Sequence, residues 1–270
     1  MKSIYTIALA LLCLGTTYAQ RSWELGAFAG LSNYGGDLQQ THFELATTHA
    51  AQGVYIRHYL NPTLSVKASF LKGAIEGADA NYEDLLIRQR NLSFRSDLYE
   101  VALTAEVALG VYGAGGKRTA APYFFTGLAA FHFNPQALHD GTWIDLQPLG
   151  TEGQGSRMYP GNNPYKLTQV SVPVGFGFNF RVQQRIVLGY EFGYRHTFTD
   201  YLDDVGGVYP DIPAYYKEDP LAAGLSYRVR EVRGHTATDA GYPTGEERGD
   251  SSTNDHYFFG GFTVAILLGK

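Results

Sequence analysis

The chain has 270 residues and a formal net charge of −5, from 21 lysines and arginines against 26 aspartates and glutamates. Its 32 glycines, 20 tyrosines and 16 phenylalanines, beside only 17% charged residues, favour many strands and tight turns over helices. The mildly acidic balance, with no lysine- or arginine-rich run carrying interleaved aromatics, argues against nucleic acid as a partner.

In chain order, residues 1–19 have the three parts of an export signal. Lys2 gives a positive start, residues 4–15 (IYTIALALLCLG) are apolar but too short to span a bilayer, and Thr17 and Ala19 put small residues before Gln20. Cleavage after Ala19 is expected. The only cysteine, Cys13, leaves with this segment, and Leu12 stands where lipidation of Cys13 would want a small residue. The mature chain then has neither a disulfide nor a thiolate metal site. Residues 20–270 suit one barrel or sandwich.

Eight segments of that region alternate in character and read as strands. In residues 23–31, Trp23, Leu25, Ala27, Ala29 and Leu31 oppose Glu24, Gly26, Phe28 and Gly30. Residues 51–60 are a weaker case. Leu64, Val66, Ala68 and Phe70 oppose Ser65, Lys67 and Ser69, and the apolar parity of residues 99–111 opposes Glu100, Thr104 and Glu106. Residues 123–133 carry aromatics on both parities. Residues 169–181 set three valines and three phenylalanines against Gln169, Ser171, Pro173, Gly175, Gly177, Asn179 and Arg181. The clearest case is residues 185–198 (RIVLGYEFGYRHTF), where Arg185, Glu191 and Arg195 fall opposite a greasy, aromatic face. Residues 257–268 close the series.

Alternation alone also fits a soluble sandwich, whose polar face would carry lysine, glutamate and threonine. Here that face is mostly glycine, serine and alanine with charges of both signs, which suits the inside of a narrow closed barrel. Trp23, Tyr99, Tyr190, Tyr194 and Tyr257 stand near strand ends, as an interfacial girdle requires. Connections at 32–50, 61–63, 75–94, 112–121, 134–168, 182–184 and 199–256 alternate long and short. That order predicts an all-β fold: an eight-stranded antiparallel transmembrane β-barrel with short periplasmic turns and long extracellular loops, in the outer membrane, both termini periplasmic. No stretch of 18 consecutive apolar residues occurs in residues 20–270, so a helical span is not expected.

Residues 113–118 (GAGGKR) look like a phosphate-binding loop, but Val111 stands where the motif needs glycine, and Arg118 replaces the Ser/Thr ligand. Neither nucleotide nor any cofactor is expected. Asp200, Asp203 and Asp204 in residues 198–207 (FTDYLDDVGG) lack the spacing of a calcium loop, and the eight histidines show no H-x-x-x-H pair. No catalytic or metal-ligating residue is assigned, and no enzyme is expected. A His196/Asp200/serine constellation at the rim stays open.

Four blocks, RNLSFRSDLYE (90–100), FNPQA (133–137), WIDLQPLGTEGQG (143–155) and YRHTFTDYLDDV (194–205), resemble the small outer-membrane barrel family of Bacteroidota that includes the PorG component of the type IX, or Por, secretion system. The resemblance implies an outer-membrane protein associated with the periplasmic ring proteins of that machinery, and supplies no catalytic residue. The final Lys270 departs from the aromatic end common among such barrels.

An eight-stranded lumen is just wide enough to be filled by side chains. The inward candidates Glu24, Lys67, Glu100, Glu106, Arg181, Arg185, Glu191 and Arg195 carry both signs and are expected to pair across it, because unpaired buried charge is costly. At the outer rim, Gln147, Thr151, Glu152, Asp200, Tyr201, Asp203 and Asp204 are candidate contact residues, and residues 146–155 should meet residues 198–207. Tyr201 is placed at head-group level, and Lys117 and Arg118 are the candidate periplasmic contacts. Outer-membrane lipid and secretion-ring proteins are the expected partners. A surface-loop adhesin or receptor and a rim-active lipid-modifying enzyme or protease are the alternatives.

Overall fold

The computed structural model describes residues 23–41, 44–110, 120–182, 185–232 and 241–268. The expected export signal and the GAGGKR turn with Lys117 and Arg118 lie outside these residues. Among the described residues ten strands form: β1 (Trp23–Gly35), β2 (His49–Tyr59), β3 (Leu64–Ala78), β4 (Ser93–Ala108), β5 (Ala120–Phe133), β6 (Gln136–His139), β7 (Thr142–Asp145), β8 (Thr168–Arg181), β9 (Ile186–Thr197) and β10 (His256–Leu268). Eight of them pair in the order β3-β2-β1-β10-β9-β8-β5-β4, and β4 pairs back to β3, so the sheet closes on itself. Every pairing is antiparallel. Closure leaves no free sheet edge, which antiparallel sheets otherwise must shield. The hairpin β6–β7 hangs from the top of β4 through the pair Arg95 and Gln136.

Period-two patterning decides which way each side chain points. The apolar parity faces outward and stays open, with Leu25 54%, Val101 61%, Leu128 70% and Phe262 71% exposed. The opposite parity is buried in the lumen. Among the described residues no helix is long and apolar enough to cross a membrane. Inward glycines make room for inward rings. A Cβ on Gly26 would sit 2.3 Å from the Tyr55 ring, and one on Gly177 would sit 2.4 Å from the Tyr123 ring.

β3 runs on to Ala78, past the expected segment 64–70, while β4 begins at Ser93, above the expected 99–111, and ends at Ala108. Beyond Phe70 the outward parity turns polar at Lys72 and Glu76, so the contrast that marks a strand fades, while the inward residues Leu71, Gly73 and Ile75 keep the pairing going. Tyr257, expected in the outer girdle, is fully buried and points into the lumen instead. It belongs to the parity opposite Phe258 and Phe262, so the same alternation that places those rings outside places it inside.

The long connections 36–48, 79–92, 134–167 and 198–255 all emerge at one end and contain short helices. These are α1 (Leu85–Arg90), α2 (Ile212–Glu218) and α3 (Pro220–Ser226). Each starts on an aspartate whose carboxylate accepts from backbone N–H groups: Asp84 from Leu86, Asp211 from Ala214, and Asp219 from Leu221 and Ala222. Pro220 opens α3, where a missing N–H costs nothing. Leu38, Leu92, Leu146, Leu202, Val205 and Leu225 from these connections join Ile75, Phe94, Leu98, Phe131 and Phe133 from the strands in one apolar core. The loops therefore fold into a cap continuous with the upper lumen.

Candidate functional site

The lower lumen is filled by a charge network centred on Arg57 of β2, which is fully buried. Its Nη1 donates to Glu24 Oε1 at 2.5 Å, its Nη2 donates to Glu106 Oε1 at 3.1 Å, and its Nε lies 2.6 Å from Glu106 Oε2. Lys67 Nζ lies 3.4 Å from Glu106 and also binds Glu191. Hydroxyls fill the remaining acceptor sites. Tyr55 and Tyr59 donate to Glu24 at 2.9 and 2.5 Å, Ser65 to Glu106 at 2.8 Å, and Tyr123 to Glu191 at 2.7 Å. Higher up, Arg195 grips Glu100 with two bonds of 3.0 Å, and Tyr257 donates to the same carboxylate at 2.9 Å. Charges so paired and hydrogen-bonded are the form in which ions tolerate burial.

A second polar network sits under the cap, above the apolar layer. Arg248, buried, donates to Glu152 Oε1 at 3.0 Å, to the Asp204 carbonyl at 2.5 Å and to the Ser226 carbonyl at 3.3 Å. Asp204 stands in the left-handed region at φ 67° and accepts from Thr151 at 2.5 Å and Tyr165 at 2.7 Å. Glu152 accepts from the Gly206 N–H at 3.1 Å and from Tyr201 at 3.2 Å. Tyr34, from the top of β1, donates to Asp203 and lies 3.4 Å from Asp255. Arg90 grips Asp79 at 2.6 and 2.9 Å and donates to the carbonyls of Arg248 and Asp37.

Burial dominates the electrostatics of this cap. It pushes the Asp204 carboxyl up to about 6 despite Arg248 beside it, and pushes Asp200 up to about 9 with the charges of Asp37 and Asp203 adding to the effect. Burial raises Asp203 and Asp255 as well, Asp37 adding to the first and Asp203 to the second. Among the described residues no group of three or more histidine, aspartate or glutamate side chains has an arrangement that would hold a metal ion.

Six of the eight expected lumen charges, Glu24, Lys67, Glu100, Glu106, Glu191 and Arg195, are buried inside the barrel. Arg181 is half-buried at the lower mouth, and Arg185 is exposed in the turn below β9, past the last lumen position. The pattern in residues 51–60 hid the central cation: Tyr55, Arg57 and Tyr59 share the inward parity, and the two inward tyrosines blurred its contrast with the outward one. At the other end, residues 146–155 and 198–207 do meet, through Thr151, Glu152, Tyr201 and Asp204. They meet inside the cap rather than at an open rim, since Thr151, Glu152, Asp203 and Asp204 are all buried. Tyr201 stacks on Tyr165 at 4.8 Å instead of anchoring at head-group level, because Glu152 and Tyr165 draw it into the cap. Gln147 holds the Tyr165 carbonyl at 2.9 Å. His196 and Asp200 are not brought together as a catalytic pair: His196 is exposed on the outward face against Phe198, and Asp200 sits in the cap near Asp203.

Solved structures of similar shape include three barrels. The N-terminal β-barrel domain of OprF from Pseudomonas aeruginosa is 12% identical, with 92% of this chain and 98% of that chain covered and a TM-score of 0.39. Ail, the attachment invasion locus protein of Yersinia pestis, is 9% identical over 93% and 100% of the two chains at a TM-score of 0.43. Neisserial surface protein A is 8% identical over 90% and 96% at 0.45. No curated protein matches the chain. A family match covers residues 2–147, more than half the chain, and the chain accordingly belongs to the family described as "Domain of unknown function (DUF6089)".

Proposed function

We propose that this chain is a non-enzymatic outer-membrane barrel that serves as a structural and assembly component of the type IX secretion machinery, contacting its periplasmic ring proteins. The observation that carries the structural part is the combination of an outward apolar face with a lumen closed by Arg57, Lys67, Arg195 and their carboxylates. Such a barrel acts through its ends and its outer face, not as a conduit. The resemblance of residues 90–100, 133–137, 143–155 and 194–205 to the PorG-containing family supports the secretion part. In that reading both termini and the short turns face the periplasm, and Lys117 and Arg118 belong to a turn that ring proteins would reach. A deletion in the native host should abolish export of type IX cargo, and ring proteins should co-purify with the tagged barrel from solubilised membranes. Normal export from the deletion strain refutes the proposal.

The cap favours one second reading, a surface receptor or adhesin. Residues 134–167 and the described residues of 198–255 are joined by buried hydrogen bonds, more than connection alone needs. Co-purification of external ligands without ring proteins would select it.

A further inference from the structure

Closure removes the edges of the eight barrel strands, but the β6–β7 hairpin above them keeps one. Its two-residue turn, Asp140 and Gly141, holds both residues in the left-handed region at φ 48° and 79°, as the tightest hairpins require. In such a hairpin the pair flanking the turn, His139 and Thr142, exchanges both main-chain bonds, and bonding pairs then alternate along the ladder. The bond from the Leu146 N–H to the Pro135 carbonyl fixes the same phase at the other end. Thr142 and Ile144 therefore turn their N–H and C=O groups toward β6, whereas Trp143 and Asp145 turn theirs away from it. β6 is paired on both sides, to β4 at Gln136 and to β7, but β7 pairs with β6 alone. Among the described residues nothing bonds the main-chain groups of Trp143 or Asp145 on that open side. Thr142, Trp143 and Asp145 are exposed along it.

A donor and an acceptor on Trp143, repeated about 7 Å further on at Asp145, match the main chain of an extended polypeptide, which offers the same pair at every second residue. The side chains narrow the choice. Ile144 faces the apolar core of the cap, and the Trp143 ring faces outward. Residues 136–145 contain no lysine or arginine, so Asp140 and Asp145 are the fixed charges of the hairpin. The two arginines that touch it have carboxylates of their own: Arg95, over the Trp143 ring, stands opposite Glu76 in the ladder, and Arg228, at the Leu138 carbonyl, pairs with Glu231 at 2.8 Å. The Asp145 carboxylate accepts from the Asn134 and Gln136 amides and, among the described residues, has no ion-pair partner.

We propose that β7 is a docking edge for an extended, basic segment of a partner protein, which adds to it antiparallel as a further strand. Opposite Asp145 the added strand carries a lysine or arginine, opposite Ile144 an apolar residue, and opposite Trp143 an aromatic one. β7 is four residues long, so the contact is limited to the bonds of Trp143 and Asp145, and a short segment binds weakly. The proposal needs only the folded hairpin and is independent of the secretion role.

The probe is the peptide acetyl-Thr-Lys-Val-Tyr-Thr-amide, which places lysine opposite Asp145, valine opposite Ile144 and tyrosine opposite Trp143. It is titrated into the full barrel in neutral detergent micelles, with isotope-labelled backbone amides followed by NMR. Binding is expected at a Kd of about 1 mM, the scale of four main-chain hydrogen bonds. The Trp143 and Asp145 amides should move downfield, while those of Thr142 and Ile144, already bonded to β6, stay in place. N-methylation of the peptide's lysine or tyrosine removes an N–H aimed at β7 and should weaken binding about tenfold, whereas N-methylation of its valine, whose N–H points away, should change it less than about twofold. Glutamate in place of the lysine should weaken binding about threefold or more. Trp143 and Asp145 amides that stay still at about 10 mM peptide, ten times the expected Kd, overturn the proposal, as does equal loss from all three N-methylated peptides. Equal binding of the glutamate peptide overturns the basic assignment. Movement of the same two amides on concentrating the barrel alone gives the edge to a second copy of this chain and overturns the partner assignment. Cargo export from the deletion strain decides the secretion role separately.

Discussion

Replacing Arg57 by methionine should cost the barrel roughly 3–5 kcal/mol, the range for removing one partner of a buried ion pair. Methionine keeps much of the unbranched stem, which limits lost packing against Tyr55 and Tyr123, so the loss reports charge more than volume. The geometry identifies which carboxylate is stranded. Glu106 retains Lys67 at 3.4 Å and Ser65 at 2.8 Å, whereas Glu24 retains only the Tyr55 and Tyr59 hydroxyls. Arg57→Met/Glu24→Gln should therefore recover about 2 kcal/mol or more, a coupling typical of residues in one network. Arg57→Met/Glu191→Gln should recover none, because Glu191 neutralises Lys67 and makes no ion pair with Arg57. Urea titration of the barrel in lipid vesicles, followed by tryptophan fluorescence and fitted with a common slope, measures all four proteins. Equal rescue by the Glu24 and Glu191 changes, or a single variant as stable as the parent, would refute the argument that Arg57 organises the lower lumen.

The cap offers three further tests. Arg248→Met should open the cap to limited proteolysis within residues 198–255 while leaving barrel strands protected, since Arg248 ties Glu152, Asp204 and Ser226 together without touching the lower lumen. Asp204 and Asp200 titrate in the folded cap at about 6 and about 9, above the ordinary aspartate value of about 3.9. A raised carboxyl stabilises the fold fully below the unfolded value and loses that contribution as pH rises through the folded one, so protection factors of cap amides, corrected for base-catalysed intrinsic exchange, should fall from about pH 4 to pH 9. Asp200→Asn should flatten the upper part of that fall, and a cap better protected at pH 9 than at pH 4 contradicts the assignment. In the barrel, Gly177→Val should cost about 1–3 kcal/mol by overpacking against Tyr123, measurable in the same urea titration.

Much of the barrel is legible in the sequence because lipid-facing and lumen-facing positions differ in character at every second residue. Residues 169–181 and 185–198 carry that contrast almost without exception, and β8 and β9 form there. Legibility fails where the contrast fails. In β2, Tyr55 and Tyr59 are inward yet aromatic, so the parity that contains Arg57 could not be told from its opposite. In the upper parts of β3 and β4 the outward residues become polar on leaving the apolar layer, and the strands continue unannounced. The burial of Asp203 and Asp204 was hidden for another reason. Their surroundings are assembled from Tyr34, Thr151, Tyr165, Arg248 and Asp255, residues far apart in the chain, and local spacing holds no trace of such a meeting.

The vertical order of the layers separates two kinds of response within one chain. The lumen sets Arg57, Lys67 and Arg195 against four carboxylates, Glu24, Glu100, Glu106 and Glu191, so all but one of these charges are offset within the barrel. The cap places Asp37, Asp200, Asp203 and Asp255 close enough to raise one another's titration and gives them few cations. Between the two lies an apolar layer that includes Phe94, Leu98, Phe131, Phe133 and Leu202. Among the described residues no side-chain hydrogen bond runs through that layer, and packed aromatic rings transmit an electrostatic change in the cap only by moving. Protonation of the cap should therefore alter loop protection without altering the stability of the strands below. If strand protection factors instead track those of the cap across pH, the apolar layer is not a barrier, and the plug and the cap form one cooperative unit.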